Sequence, residues 1–230
     1  MIKISMEEKT EGIVLHSFAF QENSRILKIF SPDLGIFSLI VKNISLKKPL
    51  LLSLTTPFSH AEFVYKKGKN DLLLFTDGSL IDNHLFLRQD FDLLHAASKM
   101  NKCLLDSQWA YKKSPALFVL FKNYLKAFQK YHNTQALLSS FYLKLLLHEG
   151  LVHLSLQCNR CSKPSIALDR GESLCSLHAQ SQDLQFTEEE FILLCTLARA
   201  KKFQILQEIP VFEDMKNKIE TLFLNQLKEY

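Results

Sequence analysis

The sequence predicts an α+β protein: a small closed β-barrel over residues 1–82, then an α-helical domain over residues 83–230 that carries a small Cys/His insertion at about 155–182. Three observations carry this reading. From about residue 10 to 85, apolar and β-branched residues alternate between closely spaced turn signals. From Phe91 onward the apolar positions recur at three and four residues, the period of a helix with one buried face. Between two helical stretches, four soft ligands fall as Cys158-x2-Cys161 and Cys175-x2-His178.

Within the first part, residues 12–20, 24–30 and 36–41 read as three strands. Ser31-Pro32-Asp33-Leu34-Gly35 makes the turn between the second and third, proline presetting φ and glycine accepting the left-handed position. Residues 60–65 and 71–76 form a hairpin across Lys66-Lys67-Gly68-Lys69-Asn70, whose Gly and Asn suit a hairpin loop. Five strands in so short a span, with no long helix among them, fit a barrel of the OB type better than a sandwich. Closure also removes exposed strand edges.

The pattern changes near Asp82. Leu93, Leu94, Ala97, Met100 and Leu104 mark a first helix; Leu117, Leu120, Phe121, Leu125 and Phe128 a second; Leu137, Leu138, Phe141 and Leu145 a third. Ser114-Pro115 supplies a cap and a first-turn proline to the second, and Gly150 a left-handed stop to the third. Thr187 with Glu190 three residues later is a capping box, so another helix starts there and carries Phe191, Leu194, Cys195 and Leu197. A last helix, 213–228, places Met215, Ile219, Leu222, Phe223 and Leu227 on one side.

Two residues between ligands let one tight turn aim both side chains at the same ion. The 13-residue gap returns the chain with the second pair, and Asp169-Arg170-Gly171 supplies the turn chemistry for the return. Cys158, Cys161, Cys175 and His178 are therefore candidate ligands of a structural Zn2+, since protein fills all four positions and leaves none for substrate. The alternatives are a metal-free knuckle whose cysteines pack as small hydrophobes, and a disulfide. An odd cysteine count and the lack of an N-terminal signal segment favour a reducing cytoplasmic compartment over the disulfide. Cys103 and Cys195 sit in helical patterns and read as core.

The whole chain has 28 Lys and Arg against 24 Asp and Glu, a net charge of +4. That mild excess permits nucleic acid as a partner without requiring it. No apolar run reaches the length of a membrane span, which predicts a soluble protein with no membrane partner. Phosphate loops, a GxSxG elbow, HExxH and GxGxxG are all absent, so the expectation is a protein that is not an enzyme. A zinc deaminase is not expected, because the P-C-x2-C half of its signature is missing: Gln157, not proline, precedes Cys158.

The order of parts then resembles the RecO family of bacterial recombination mediators. The residues that carry the resemblance are Glu11-Gly12-Ile13-Val14-Leu15, Glu22 with Ser24-Arg25-Ile26-Leu27, the Gly35 turn and Pro57-Phe58. Further on they are Leu117-Phe118 with Leu120, Phe141-x3-Leu145-x3-Glu149-Gly150-Leu151, and Cys158-x2-Cys161. The resemblance implies an OB-fold that binds single- and double-stranded DNA. It also implies partnership with RecR and the single-stranded DNA-binding protein SSB, loading of RecA, strand annealing, and no ATP chemistry. The sequence departs from the family in a short basic segment holding only Lys47-Lys48, and in CxxH as the second ligand pair.

On such a barrel, cations track phosphates and aromatic faces stack bases. The candidates are Arg25, Lys28, Lys42, Lys47, Lys48, Lys66, Lys67 and Lys69, with Phe20 and Phe37 as the stacking rings. In the helical part, Trp109 and Tyr111 beside Lys112 and Lys113 suit an acidic, apolar peptide such as the SSB C-terminal tail. The competing reading is a zinc-stabilised protein adaptor without DNA binding.

Overall fold

The computed structural model describes residues 7–68 and 73–229. Strands β1 (Glu8–Ala19), β2 (Ser24–Ser31), β3 (Gly35–Lys42), β4 (His60–Lys67) and β5 (Leu73–Asp82) close a barrel in the order β1-β2-β3-β5-β4. All neighbours are antiparallel except β3 and β5, which pair in parallel through Leu39↔Leu73 and Ile40↔Leu74. The expected OB barrel is therefore present. Alternation along β2 and β3 sends Leu27, Ile29, Phe37, Leu39 and Val41 inward, where they pack with Val14, Ala61, Phe63 and Tyr65.

Between β2 and β3 the expected turn forms. Ser31 Oγ accepts from Asp33 N at 3.2 Å and Leu34 N at 3.4 Å, and Gly35 takes φ +67°. Any Cβ at Gly35 would also sit 2.1 Å from the Lys112 carbonyl oxygen, so glycine is required twice over. A six-residue helix, α1 (Pro49–Leu54), follows β3; it is too short for a periodic signal and was not expected from the sequence. β5 is longer than expected, reaching Asp82.

Next come α2 (Phe91–Ser107), α3 (Pro115–Ala127) and α4 (Thr134–His148), the three expected helices. Then follow the short strands β6 (Ala167–Asp169), β7 (Glu172–Leu174) and β8 (Leu184–Gln185), and helices α5 (Glu188–Arg199), α6 (Phe203–Glu208) and α7 (Glu213–Glu229). Gly150 stops α4 at φ +71°, and Thr187 and Glu190 form both bonds of the capping box on α5. Among the described residues no helix is long and apolar enough to cross a membrane.

Chain order and packing divide the protein differently. One compact unit holds the chain up to Leu94 together with Asn101–Lys126; the other holds His95–Met100 and Ala127–Tyr230. Residues 101–126 join the barrel because α3 turns Phe118 and Phe121 onto Phe30 of β2, with ring centroids 5.7 and 6.4 Å apart. In the second unit α4 is buried on every side and packs against α5, α6 and α7.

The barrel unit also encloses two histidines. His60 Nε2 lies 2.6 Å from a Glu11 carboxylate oxygen that also accepts from Lys122 Nζ at 3.1 Å; His84 Nδ1 lies 2.9 Å from the Phe58 carbonyl oxygen. Burial holds both imidazoles below the ordinary value of 6.5, against the pull of Glu11 on one and Asp82 on the other. The unfolded chain thus binds protons first. Stability from these groups is full above about pH 6.5 and is lost as the pH falls through the lower folded values. The denaturation midpoint at pH 5.5 is expected below that at pH 7.5. His84→Asn, which does not titrate and tolerates the left-handed backbone (φ 45°) at this position, narrows the gap. A midpoint flat between those pH values would contradict the assignment.

Candidate metal centre and nucleic-acid interface

Two matching turns build the metal centre. Cys158 O accepts from Cys161 N at 3.3 Å, and Cys175 O accepts from His178 N at 3.0 Å, so each pair of side chains leaves its turn on one side. The hairpin β6–β7 brings the pairs together through Arg170 (φ 44°) and Gly171 (φ +80°). At Gly171 a Cβ would lie 2.2 Å from the Leu151 carbonyl oxygen.

The four ligand atoms lie within 4.8 Å of one another. His178 Nδ1 stands 3.4 Å from Cys158 Sγ, 3.6 Å from Cys161 Sγ and 3.4 Å from Cys175 Sγ, while Cys161 and Cys175 Sγ are 3.6 Å apart. Zinc bonds of about 2.3 Å to sulfur and 2.0–2.1 Å to nitrogen, set tetrahedrally, require edges of about 3.8 Å between sulfurs and 3.6 Å from sulfur to nitrogen. The donor set therefore fits a metal ion. All the cysteines are free thiols.

Electrostatics agree with the geometry. Burial opposes ionisation of Cys158, but N–H donors, led by Arg160 with N···Sγ 3.4 Å, outweigh it and pull the thiol down to about 6. At Cys161 the Lys163 backbone lowers the value, while burial and the neighbouring Cys175 and Cys158 raise it further. One thiolate forms easily and the next is resisted, a condition that a dication relieves.

On the barrel, five candidate cations fall into two concavities. Lys42, Lys48 and Lys66 line one of about 450 Å3, floored by Ile40, Leu51, Leu74 and Phe75. Arg25 and Lys47 line another of about 690 Å3, with Asn23, Ser24 and Leu52 among its walls. None of the five pairs with a carboxylate of the described residues. Phe20 is 37% exposed at the end of β1. Lys28, half-buried between His16 and Ser38, and the exposed Lys67 line neither concavity, and Lys69 lies outside the described residues.

Two expectations need correction. Phe37 does not offer a face for stacking: it is 1% exposed on the inward side of β3, tilted against Tyr65 with centroids 6.1 Å apart. Phe75, half-buried and lining the lysine-rich concavity, is the ring that sequence reasoning missed; alternation along β5 was the available signal, but which face points inward was not. The Trp109–Lys113 cluster belongs to the barrel's unit rather than to a separate helical domain. Tyr111 N donates to Ile36 O at 3.0 Å and Ala110 bridges Ile36, so the segment runs beside β3. Trp109 and Tyr111 remain 64% and 56% exposed, and Lys112 and Lys113 are exposed beside them.

Comparison with known proteins agrees with this architecture. The family model described as Recombination protein O N terminal matches residues 6–84. The DNA repair protein RecO of Chlamydia trachomatis serovar D is 34% identical over 97% of this chain and 94% of its own length. Its counterpart in Chlamydia pneumoniae is 30% identical over 87% and 81%, and that of Caldicellulosiruptor bescii 27% over 96% and 91%.

Proposed function

The chain belongs to the RecO family of DNA repair proteins, and from that premise we propose that it is a DNA-binding recombination mediator that works without catalytic chemistry of its own. The observation that carries the reading is the pair of barrel concavities with five cations free of described carboxylates, one set over an apolar floor that includes an aromatic ring. That combination suits a single strand, whose phosphates meet lysine while a base lies on Phe75 or Phe20. The family further supports duplex DNA as a ligand, action with RecR and SSB to load RecA, strand annealing, and a cytoplasmic location. Titration of the full chain with single-stranded DNA across a salt series tests it. Affinity should fall linearly on logarithmic axes with a slope of several units, and binding insensitive to salt would overturn the reading in favour of a protein adaptor.

In this reading Cys158, Cys161, Cys175 and His178 hold a zinc ion whose role is structural, tying the two turns into one knuckle. Trp109, Tyr111, Lys112 and Lys113 receive the SSB tail, the rings taking its apolar end and the lysines its carboxylates. Reversing charge with Lys112→Glu and Lys113→Glu should weaken binding of an acidic tail peptide while the single-strand salt slope stays unchanged. Unaltered peptide affinity would move the tail site elsewhere.

A further inference from the structure

Resting on the DNA-binding reading, the shape of the barrel surface also bears on which form of DNA it takes. Residues 43–52 border both concavities: Asn43, Lys48 and Leu51 line one, while Ile44 to Lys47 and Leu52 line the other. Neighbours in sequence that face opposite cavities make this segment a wall between them. Its footing is fixed, because Ile44 is buried in the barrel core and its N–H donates to Asn23 O at 2.9 Å. Asn43, at φ 58°, turns the chain out of β3. At the top, Lys48 N donates to Ser45 O at 2.9 Å, closing a turn with Leu46 and Lys47 at its corners. Leu46 is 90% exposed, an apolar side chain held in water at the rim of the Arg25–Lys47 concavity, two residues from Lys48, which lines the other.

We propose that this wall is a wedge for a DNA junction: the place where a duplex opens into two single strands seats on Leu46, and one strand enters each concavity. Leu46 then buries its surface against the last base pair, as apolar wedges do between base steps elsewhere. At a junction the stack is already interrupted, so the wedge meets the least resistance there. Lys42, Lys48 and Lys66 follow one backbone, and Arg25 and Lys47 the other. A single strand needs only one of the two tracks, whereas a junction fills both. Glu22, the one carboxylate among the described residues that line either concavity, makes the Arg25 side the weaker track.

The test uses the full chain with three DNAs of equal nucleotide number: a fork with two single-stranded arms, a single strand, and a duplex. The fork carries 2-aminopurine in its last base pair. The expected result is tighter binding of the fork than of either other DNA, with a rise in 2-aminopurine fluorescence as the pair unstacks. Leu46→Ala, at so exposed a position, leaves thermal stability unchanged, abolishes the fork preference and the fluorescence rise, and keeps single-strand affinity. Binding of all three DNAs without fork preference, or a Leu46→Ala protein that retains it, overturns the wedge alone. Failure to bind any DNA overturns the wedge together with the DNA-binding reading.

Discussion

Cys158→Ser and Cys161→Ser should each strip the protein of stoichiometric zinc and unfold the knuckle, with the largest stability loss of any single side-chain change outside the two main cores. The reason is the size of what the ion holds together. The knuckle's own buried cluster is Cys158, Ala167, Leu174 and Cys175, two of them ligands, so little apolar surface is left to fold it without metal. In isolated zinc-finger peptides the ion supplies about 10–16 kcal/mol of folding free energy. Here α4, α5 and α7 form a core of their own, so loss of about 3–5 kcal/mol is expected, appearing as an early unfolding step of the knuckle. Two variants make the test specific. Cys195→Ser, at a buried thiol on α5 away from the four ligands, should keep the metal. His178→Cys should keep it as well, because zinc accepts four thiolates. Wild-type protein that purifies without metal, together with a Cys161→Ser protein as stable as its parent, would establish the metal-free knuckle instead.

Local chemistry was the legible part of this chain. The ligand spacing, the Thr187–Glu190 capping box, the Gly35 and Gly150 positions and the Asp169-Arg170-Gly171 return all depend on a few consecutive residues, and each took the form its sequence implied. What failed to show depends on packing between distant segments. Residues 101–126 read as part of the helical domain, yet they pack with the barrel because Phe118 and Phe121 find Phe30, a pairing that no local pattern announces. Phe37 illustrates the limit of period-two reasoning: alternation along β3 says that Phe37, Leu39 and Val41 share a face, but not whether that face is core or solvent. α1 and α6 are six residues each, under two turns, and present no helical period to read. The two concavities are the same kind of feature, since Lys42, Lys48 and Lys66 come from β3, the start of α1 and β4 and meet only once the barrel has closed.

That meeting sets the other large effect. Changing Lys42, Lys48 and Lys66 together to Gln should weaken single-strand binding by about a hundredfold at 0.1 M salt, and should reduce the salt slope by about 2, at roughly 0.7 for each phosphate that is no longer neutralised. The fold should survive, because all three side chains are exposed and none pairs with a carboxylate of the described residues. Lys102→Gln is the matched control: it removes an exposed charge already engaged with Asp106 at 2.8 Å, so the slope should not move. Slope and affinity separate the outcomes. If both fall, the strand's phosphates run through this concavity. A fall in affinity with the slope unchanged means the lysines act through the shape of the site and not by neutralising phosphate. If neither changes, the strand runs elsewhere on the barrel, and Arg25 with Lys47 becomes the pair to neutralise next. Should that pair also prove silent, neither concavity carries the strand, and Lys28, Lys67 and the exposed Phe20 mark the part of the barrel to change next.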